Sequence, residues 1–318
     1  MTNTNSAASF NRVTGLVIVE VRCSNPNGDP DMESDPRTLE ADGRGVISPV
    51  SFKRKLRDLV QQKDGQVWQQ WAEPITWAAK AEQKDGSQPW TDTEGYQYGI
   101  LETRFRDRDE ISKLEESVFR LRYWDARVFG NTFLESMKEK NLSLEEKKKF
   151  SHFVSTGAVQ VGVGLSIARL DIDRMTQTSK SGVEKELERG MAPLSFRVVR
   201  HGLYTIPFFV NPTVAVRTGM TARDLSLLRF LLPFTYSQTA SAIRPFVNVL
   251  RAWWIEHKSP FGSCPDYLLI DALTPRRKDG TTEPSTSLAD YFPLPDALPK
   301  ELVDRVKPVE DACLPVTT

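Results

Sequence analysis

The chain has 318 residues, 39% hydrophobic and 26% charged, ordinary globular proportions with room for one large domain or one domain carrying insertions. No apolar run approaches the roughly 20 residues that cross a bilayer, and residues 1–9 lack the basic start and apolar block of a signal peptide, so 1–11 reads as a disordered leader. The 42 basic and 42 acidic side chains cancel, which counts against a nucleic-acid binder unless the charges are segregated.

They are segregated. Arg44 to Arg57 holds five basic residues and no acidic one, and Arg217 to Lys258 holds six basic against two acidic, whereas Glu283 to Asp311 holds seven acidic against three basic. Local basic stripes, rather than net charge, attract a phosphate backbone. Cys23, Cys264 and Cys313 lie far apart without Cys-x-x-Cys spacing, and His152, His201 and His257 are scattered. A reducing cytoplasm is expected, with no disulfide framework, structural zinc or cofactor.

In chain order, the β-branched run Arg12–Arg22 predicts a buried strand. Residues 23–45 follow with three prolines and three glycines, a turn assembly rather than regular structure. Ser48 as N-cap and Pro49 at the first helical position start a helix, with Phe52, Leu56, Leu59 and Val60 on its buried stripe. Trp68, Trp71 and Trp77 around Pro74 suggest two short helices within 66–84, and charged helices are expected near 109–122 and 143–150. Thr156–Leu170 reads as one long strand, 171–194 as a polar excursion, and Phe196–Val210 as the next strand. Thr221 caps a helix through Leu232, Phe246–Ile255 is a strand, and the proline-rich remainder is irregular apart from a helix near 300–306. Trp253 and Trp254, adjacent on that strand, face opposite sides, so one is core and the other is free to be exposed. Stripped of insertions the order is β-α-β-β-α-β, that of a ferredoxin-like or RRM-like domain of the α+β class.

For chemistry, Lys53, Arg54 and Arg57 share a helical face beside a helix N-terminus, with Ser48 and Ser51 hydroxyls near, a pattern suited to one or two backbone phosphates. The carboxylates of Asn25–Asp35 lack the EF-hand spacing, so a turn is favoured over a metal site there. His201 and His152 are formal general-base candidates, each more readily structural. Catalytic residues are not expected.

Residues 25–31 (NPNGDPD) with 43–58 (GRGVISPVSFKRKLRD) resemble the N-terminal signature of the RAMP-superfamily backbone subunits of type I CRISPR Cascade complexes, most closely the type I-C branch. Asp125–Gly130 (DARVFG) looks like that family's D-x-R-x-FG element, Gly157–Gln160 (GAVQ) like its G-P-V-Q strand opening with Ala158 in place of proline, and Gly202-Leu203-Tyr204 before Asn211-Pro212 like its GLY…NP stretch. The resemblance implies a palm over 12–273 with a helical insertion near 62–150 and a projecting β-hairpin thumb near 171–194, then a C-terminal extension, 274–318. It also implies partners: a guide RNA (crRNA), target DNA, further copies of the chain in a filament, and other Cascade subunits. By position it sets Asn25, Asn27, Lys53, Arg54 and Arg57 against RNA phosphates and sugars, followed by Arg127 and Gln160. Arg44, Ser48, Ser51 and Arg169 complete the candidate contacts. Met175, Met191 and Leu194 are candidates for an apolar wedge that splays a base. The rival reading on the same fold is an endoribonuclease acting on precursor guide RNA.

Overall fold

The computed structural model describes residues 10–79, 90–103, 110–111, 114–132, 154–178 and 193–314. The leader 1–9, the expected helix at 143–150, His152, Met191 and the excursion's centre lie outside them. The strands of the main sheet are β1 (Val13–Ser24), β2 (Arg44–Ile47), β3 (Val159–Val161), β4 (Gly164–Arg169), β5 (Ile172–Thr178), β6 (Pro193–Val210), β7 (Val247–Glu256) and β8 (Glu310–Asp311). The helices are α1 (Pro49–Gln61), α2 (Gln66–Ala72), α3 (Glu116–Arg122), α4 (Trp124–Phe129), α5 (Pro212–Thr218), α6 (Ala222–Leu231), α7 (Asp266–Leu273) and α8 (Lys300–Val303).

The sheet runs β8-β7-β1-β6-β4-β2, with β3 and β5 also paired to β6, and every pairing is antiparallel. Its central four, β7-β1-β6-β4, are the fourth, first, third and second strands of the β-α-β-β-α-β order, with α1 and α6 in the two crossovers. The expected α+β class is the one adopted. No helix among the described residues is long and apolar enough to cross a membrane.

Local signals placed the elements well where the cap was explicit. Ser48 accepts from the Ser51 amide at 3.2 Å, and Thr221 and Asp224 form a reciprocal capping box at the start of α6. Asn211, whose side chain accepts from Thr213 and Val214, starts α5 with Pro212 behind it.

Three expectations change. The described part of the 66–84 stretch, 66–79, holds one helix, α2, and then a short strand, Trp77–Ala79, paired with Thr91–Asp92. Trp68, Trp71, Trp77 and Trp90 pack there with Tyr98 as core, rings 5.0 to 6.1 Å apart. The single strand at Thr156–Leu170 is three pieces, because the backbone at Gly157 crosses that at Gly130. A Cβ on Gly157 would sit 2.0 Å from the Phe129 carbonyl carbon, and one on Gly130, at φ 77°, would sit 2.2 Å from the Ser155 oxygen. Only glycine permits that crossing.

The third change concerns the tryptophans. Trp254 enters the large core beneath α1 and α6, while Trp253 enters a second core on the opposite face, with Leu16, Ile18, Leu203 and Ile255. Both are buried, because α7 and the 288–306 segment bring Leu269, Leu273, Tyr291, Leu298, Leu302 and Val306 onto that face. The proline-rich extension is therefore part of the core, not an appendage. That is why β1 reads as a continuous apolar run, Val13 to Val21 being buried throughout.

Arg127 joins the insertion to the palm. Its Nε and Nη2 donate to the two Asp224 oxygens at 3.0 and 2.8 Å, and its remaining donors go to the carbonyls of Arg120, Leu121 and Gln97. Both side chains of the pair are fully buried. Removing one partner of such a pair leaves an uncompensated charge, so Arg127→Met should lower stability by about 3–5 kcal/mol in urea denaturation. Arg127→Lys should not restore it, because an ammonium cannot reproduce the fork of five donors.

Candidate nucleic-acid interface

The loop 25–37 is built by its own polar groups. Asn25 is buried and its amide nitrogen donates to the carbonyls of Ser34 (2.8 Å) and Arg197 (3.1 Å). Asn27 accepts from the Ser48 amide at 2.7 Å, which clips the loop to the N-terminus of α1. Both asparagines thus shape the surface; Asn27 remains partly exposed on it. Three of the loop's four acids, all but Asp31, face arginines. Asp29 faces Arg37 at 3.4 Å, Glu33 pairs with Arg197, and Asp35 accepts from Arg174 (2.6 Å) and Arg197 (2.9 Å). The Arg174 hydrogen bond, foremost, holds the Asp35 carboxyl below its ordinary range. Carboxylates so paired are poor metal ligands, and no group of three or more His, Cys, Asp or Glu suited to a metal occurs among the described residues.

On α1 the predicted basic face divides. Arg57 turns inward, donating to Asp125 at 2.8 Å, and Asp125 also receives the amides of Leu101 (2.7 Å) and Glu102 (3.1 Å). Arg54 bridges to Asp58 at 2.8 Å and donates to the Glu102 carbonyl. Lys53 has no carboxylate partner among the described residues; its Nζ sits 5.4 Å from the centroid of the Phe129 ring, half-buried. Burial, and then Arg57, pull its pKa below the usual lysine value. The helix N-terminus offers less than its position suggests, since Pro49 has no N–H and the Ser51 and Phe52 amides are taken by Ser48.

Phe129 leads into the Gly130–Gly157 crossing, so the exposed Gln160 belongs to the same neighbourhood as Lys53; its side chain donates to the Gly157 carbonyl at 2.8 Å. Arg44, half-buried, and Arg169, exposed, are register partners at the sheet edge, facing Asp42 (2.6 Å) and Glu283 (3.9 Å). Arg127, fully buried on Asp224, is not a surface residue, and Arg57 is nearly so. The surface that remains from the predicted contacts is Asn27, Ser51, Lys53, Arg54 and Gln160, with Arg44 and Arg169 along the edge. Sequence pattern could not see that Arg57 and Arg127 have buried carboxylates waiting for them.

Of the two histidine candidates only His201 is among the described residues, and it is closed off. His201 is buried; Tyr291 donates to Ser285 Oγ at 3.0 Å, which leaves the Ser285 hydrogen for His201 Nδ1 at 2.7 Å. Burial lowers its pKa despite Glu20 at 3.5 Å from Nε2. His257 is equally buried between Thr14, Ser263 and Asp266.

Beyond Val199, β6 leaves β1 and continues with β5 alone, forming a two-stranded arm from Ile172↔Val199 to Thr178↔Pro193. Met175 is exposed on it, opposite Phe196; Leu194 lies at the outer register position beside Gln177. At its base Asp171 and Asp173 both face Arg200, at 3.2 and 3.4 Å. Arg174 and Arg197, on the other face of the arm, are the residues that hold Asp35.

This palm, its two-stranded arm and its loop-and-helix edge are the parts that the resemblance to RAMP-type backbone subunits implies. The profile of the CRISPR-associated protein Cas7 family matches residues 11–293, and the chain belongs to that family. Among solved structures it is similar to a subunit of a "CRISPR RNA-guided surveillance complex, pre-nicking", at 16% identity and TM-score 0.44 over 78% of each chain. A second, from a "CRISPR RNA-guided surveillance complex", gives 16% identity and TM-score 0.40 over 78% of this chain and 70% of that one. No curated protein matches the sequence.

The two flanking cations of α1 should behave differently on substitution. Lys53→Ala should leave stability unchanged and lower the salt slope of single-stranded RNA binding by about 0.7, the loss of one phosphate contact. Arg57→Ala should instead cost about 3–5 kcal/mol in urea denaturation, by stranding Asp125.

Proposed function

We propose that this Cas7-family chain coats a guide RNA in the cytoplasm as one of several copies, holding phosphates and riboses along the edge made by loop 25–37, the first turns of α1 and the 157–160 turn. The observation that carries the reading is the sheet itself. An RRM binds RNA on an open sheet face with exposed aromatics, but here both faces are covered by core, so a strand of RNA is left the edge. Contact along an edge reads backbone rather than bases, which suits a protein that must accept any spacer sequence. The bases are then free to pair with target DNA.

The arm β5–β6 is the thumb in this reading. Its steric job is to part neighbouring bases, an unstacking loss of roughly a few kcal/mol that contacts to the displaced base must offset. Met175 is the described apolar side chain on it that is exposed. The reading assigns no nuclease chemistry, because Asp29, Glu33 and Asp35 of the loop, with Asp171 and Asp173, are arginine-paired and His201 is sealed under Ser285 and Tyr291.

Negative-stain images of the purified chain with a guide-length RNA should show helical particles; isolated globules at saturating RNA would sink the filament reading. Precursor RNA should stay intact with and without magnesium, and His201-dependent cleavage would reverse the assignment. Thr178 and Pro193 are register partners, so replacing 179–192 by Asn-Gly closes the arm as a tight hairpin. That variant should keep affinity for short RNA and lose regular filaments.

A further inference from the structure

Lys55 lies two residues beyond Lys53, about 200° further around α1 at 3.6 residues per turn, and so on the opposite flank. It is 95% buried, at 5% exposure, with its Nζ 5.3 Å from the centroid of the Tyr236 ring. No carboxylate ion-pairs with it among the described residues, and the nearest acid on its own helix, Asp58, is already bridged by Arg54. Facing it from the 237–246 segment is Arg244, whose Nε is buried without a hydrogen-bond partner; the Tyr236 hydroxyl is buried and unpartnered as well. Two cations and a hydroxyl thus face one another, and the one acid acting on Lys55, Asp58, is held by Arg54. Unpaired buried charge costs several kcal/mol and buried donors are otherwise almost always satisfied.

The segment that supplies Arg244 is stitched to the signature loop. The Asn25 amide donates to the Ile243 carbonyl at 2.8 Å, the Phe246 amide to Ser24 Oγ at 2.9 Å, and the Arg22 amide to the Phe246 carbonyl at 2.9 Å. Arg244 is half-exposed and its neighbours Pro245 and Phe246 are exposed, so the cluster reaches from the buried Lys55 and Tyr236 out to the surface beside loop 25–37 through Arg244.

We propose that Lys55, Arg244 and the Tyr236 hydroxyl form a second anion site, which takes one backbone phosphate of the bound RNA on the flank of α1 opposite Lys53. The site deepens the proposed function and rests on it: an RNA crossing the first turns of α1 is gripped on both flanks. Arg244 and Tyr236 across the gap and Asp58 on the same helix are the charged and titratable groups that face Lys55. Burial first, then Arg244, bring the Lys55 pKa down to about 8. Between that value and the ordinary lysine range the unfolded chain keeps the proton and the folded chain does not. Free-protein stability therefore rises with pH across this window, while the hold on phosphate weakens.

The test uses the full chain with Lys55→Met and Arg244→Gln, a mixed-sequence single-stranded RNA of guide length, a salt series and urea denaturation. Each variant should lower the salt slope by about 0.7, and Lys55→Met should unfold at higher urea than the parent because a buried cation has gone. Unchanged slopes in both variants, with the parent chain binding RNA, would overturn the site and leave the proposed function standing. Failure of the parent to bind RNA at all would overturn the proposed function, and the site with it. A Lys55→Met variant that is less stable and binds with the parental slope would make Lys55 a packing residue. Arg244→Gln, on a half-exposed segment, carries the slope measurement even where Lys55→Met folds poorly.

Discussion

Two buried ion pairs that issue from one hexapeptide hold this molecule in register. Within Asp125–Gly130, Asp125 takes Arg57 from α1 and Arg127 takes Asp224 from α6. The insertion therefore clasps both crossover helices of the palm, each by a charge that cannot be released without stranding its partner. Such pairs add little net stability over well-packed apolar residues, but they are unforgiving about position. The same six residues deliver Phe129 beneath Lys53 and Gly130 into the crossing with Gly157. Placement of the interface cation is thus a by-product of how the insertion is locked.

The second constraint is closure of the sheet. β1 and β7 carry apolar residues on both sides, and α7 with the 288–306 segment covers the face that an RRM leaves open. His201 is caught in that closure, which turns a residue with general-base chemistry into a polar rivet between the sheet and Ser285. What stays open is loops and helix ends, where the side chains of Asn25 and Asn27 hold backbone groups of the protein itself.

What the sequence disclosed follows from range. Caps and strand runs are local, and Ser48, Thr221 with Asp224, and the Val13–Val21 run were readable at their places. So was the β-α-β-β-α-β order. Arg57 and Arg127 were legible only as basic residues, because their carboxylates lie 68 and 97 positions away. The break of Thr156–Leu170 needed knowledge that Gly130 would pass by Gly157. The proline-rich extension carries no periodicity, yet its buried residues Tyr291, Leu298, Leu302 and Val306 fall on one sheet face. Lys55 and Arg244 sat within the two basic stripes, but their meeting was invisible until Tyr236 brought them together.

The length of β6 has a mechanical meaning. Its 18 residues run without interruption from the outer end of the arm to Val210 in the middle of the sheet, roughly 60 Å at about 3.3 Å per residue. The arm has no hinge of its own within that strand; it is the free end of a beam whose other end is clamped between β1 and β4. Bending it would mean shearing the central ladder. In the proposed filament the reach of the described arm from the palm is consequently set when the sheet folds, and a row of such chains would step along a strand with a pitch written into one strand's length.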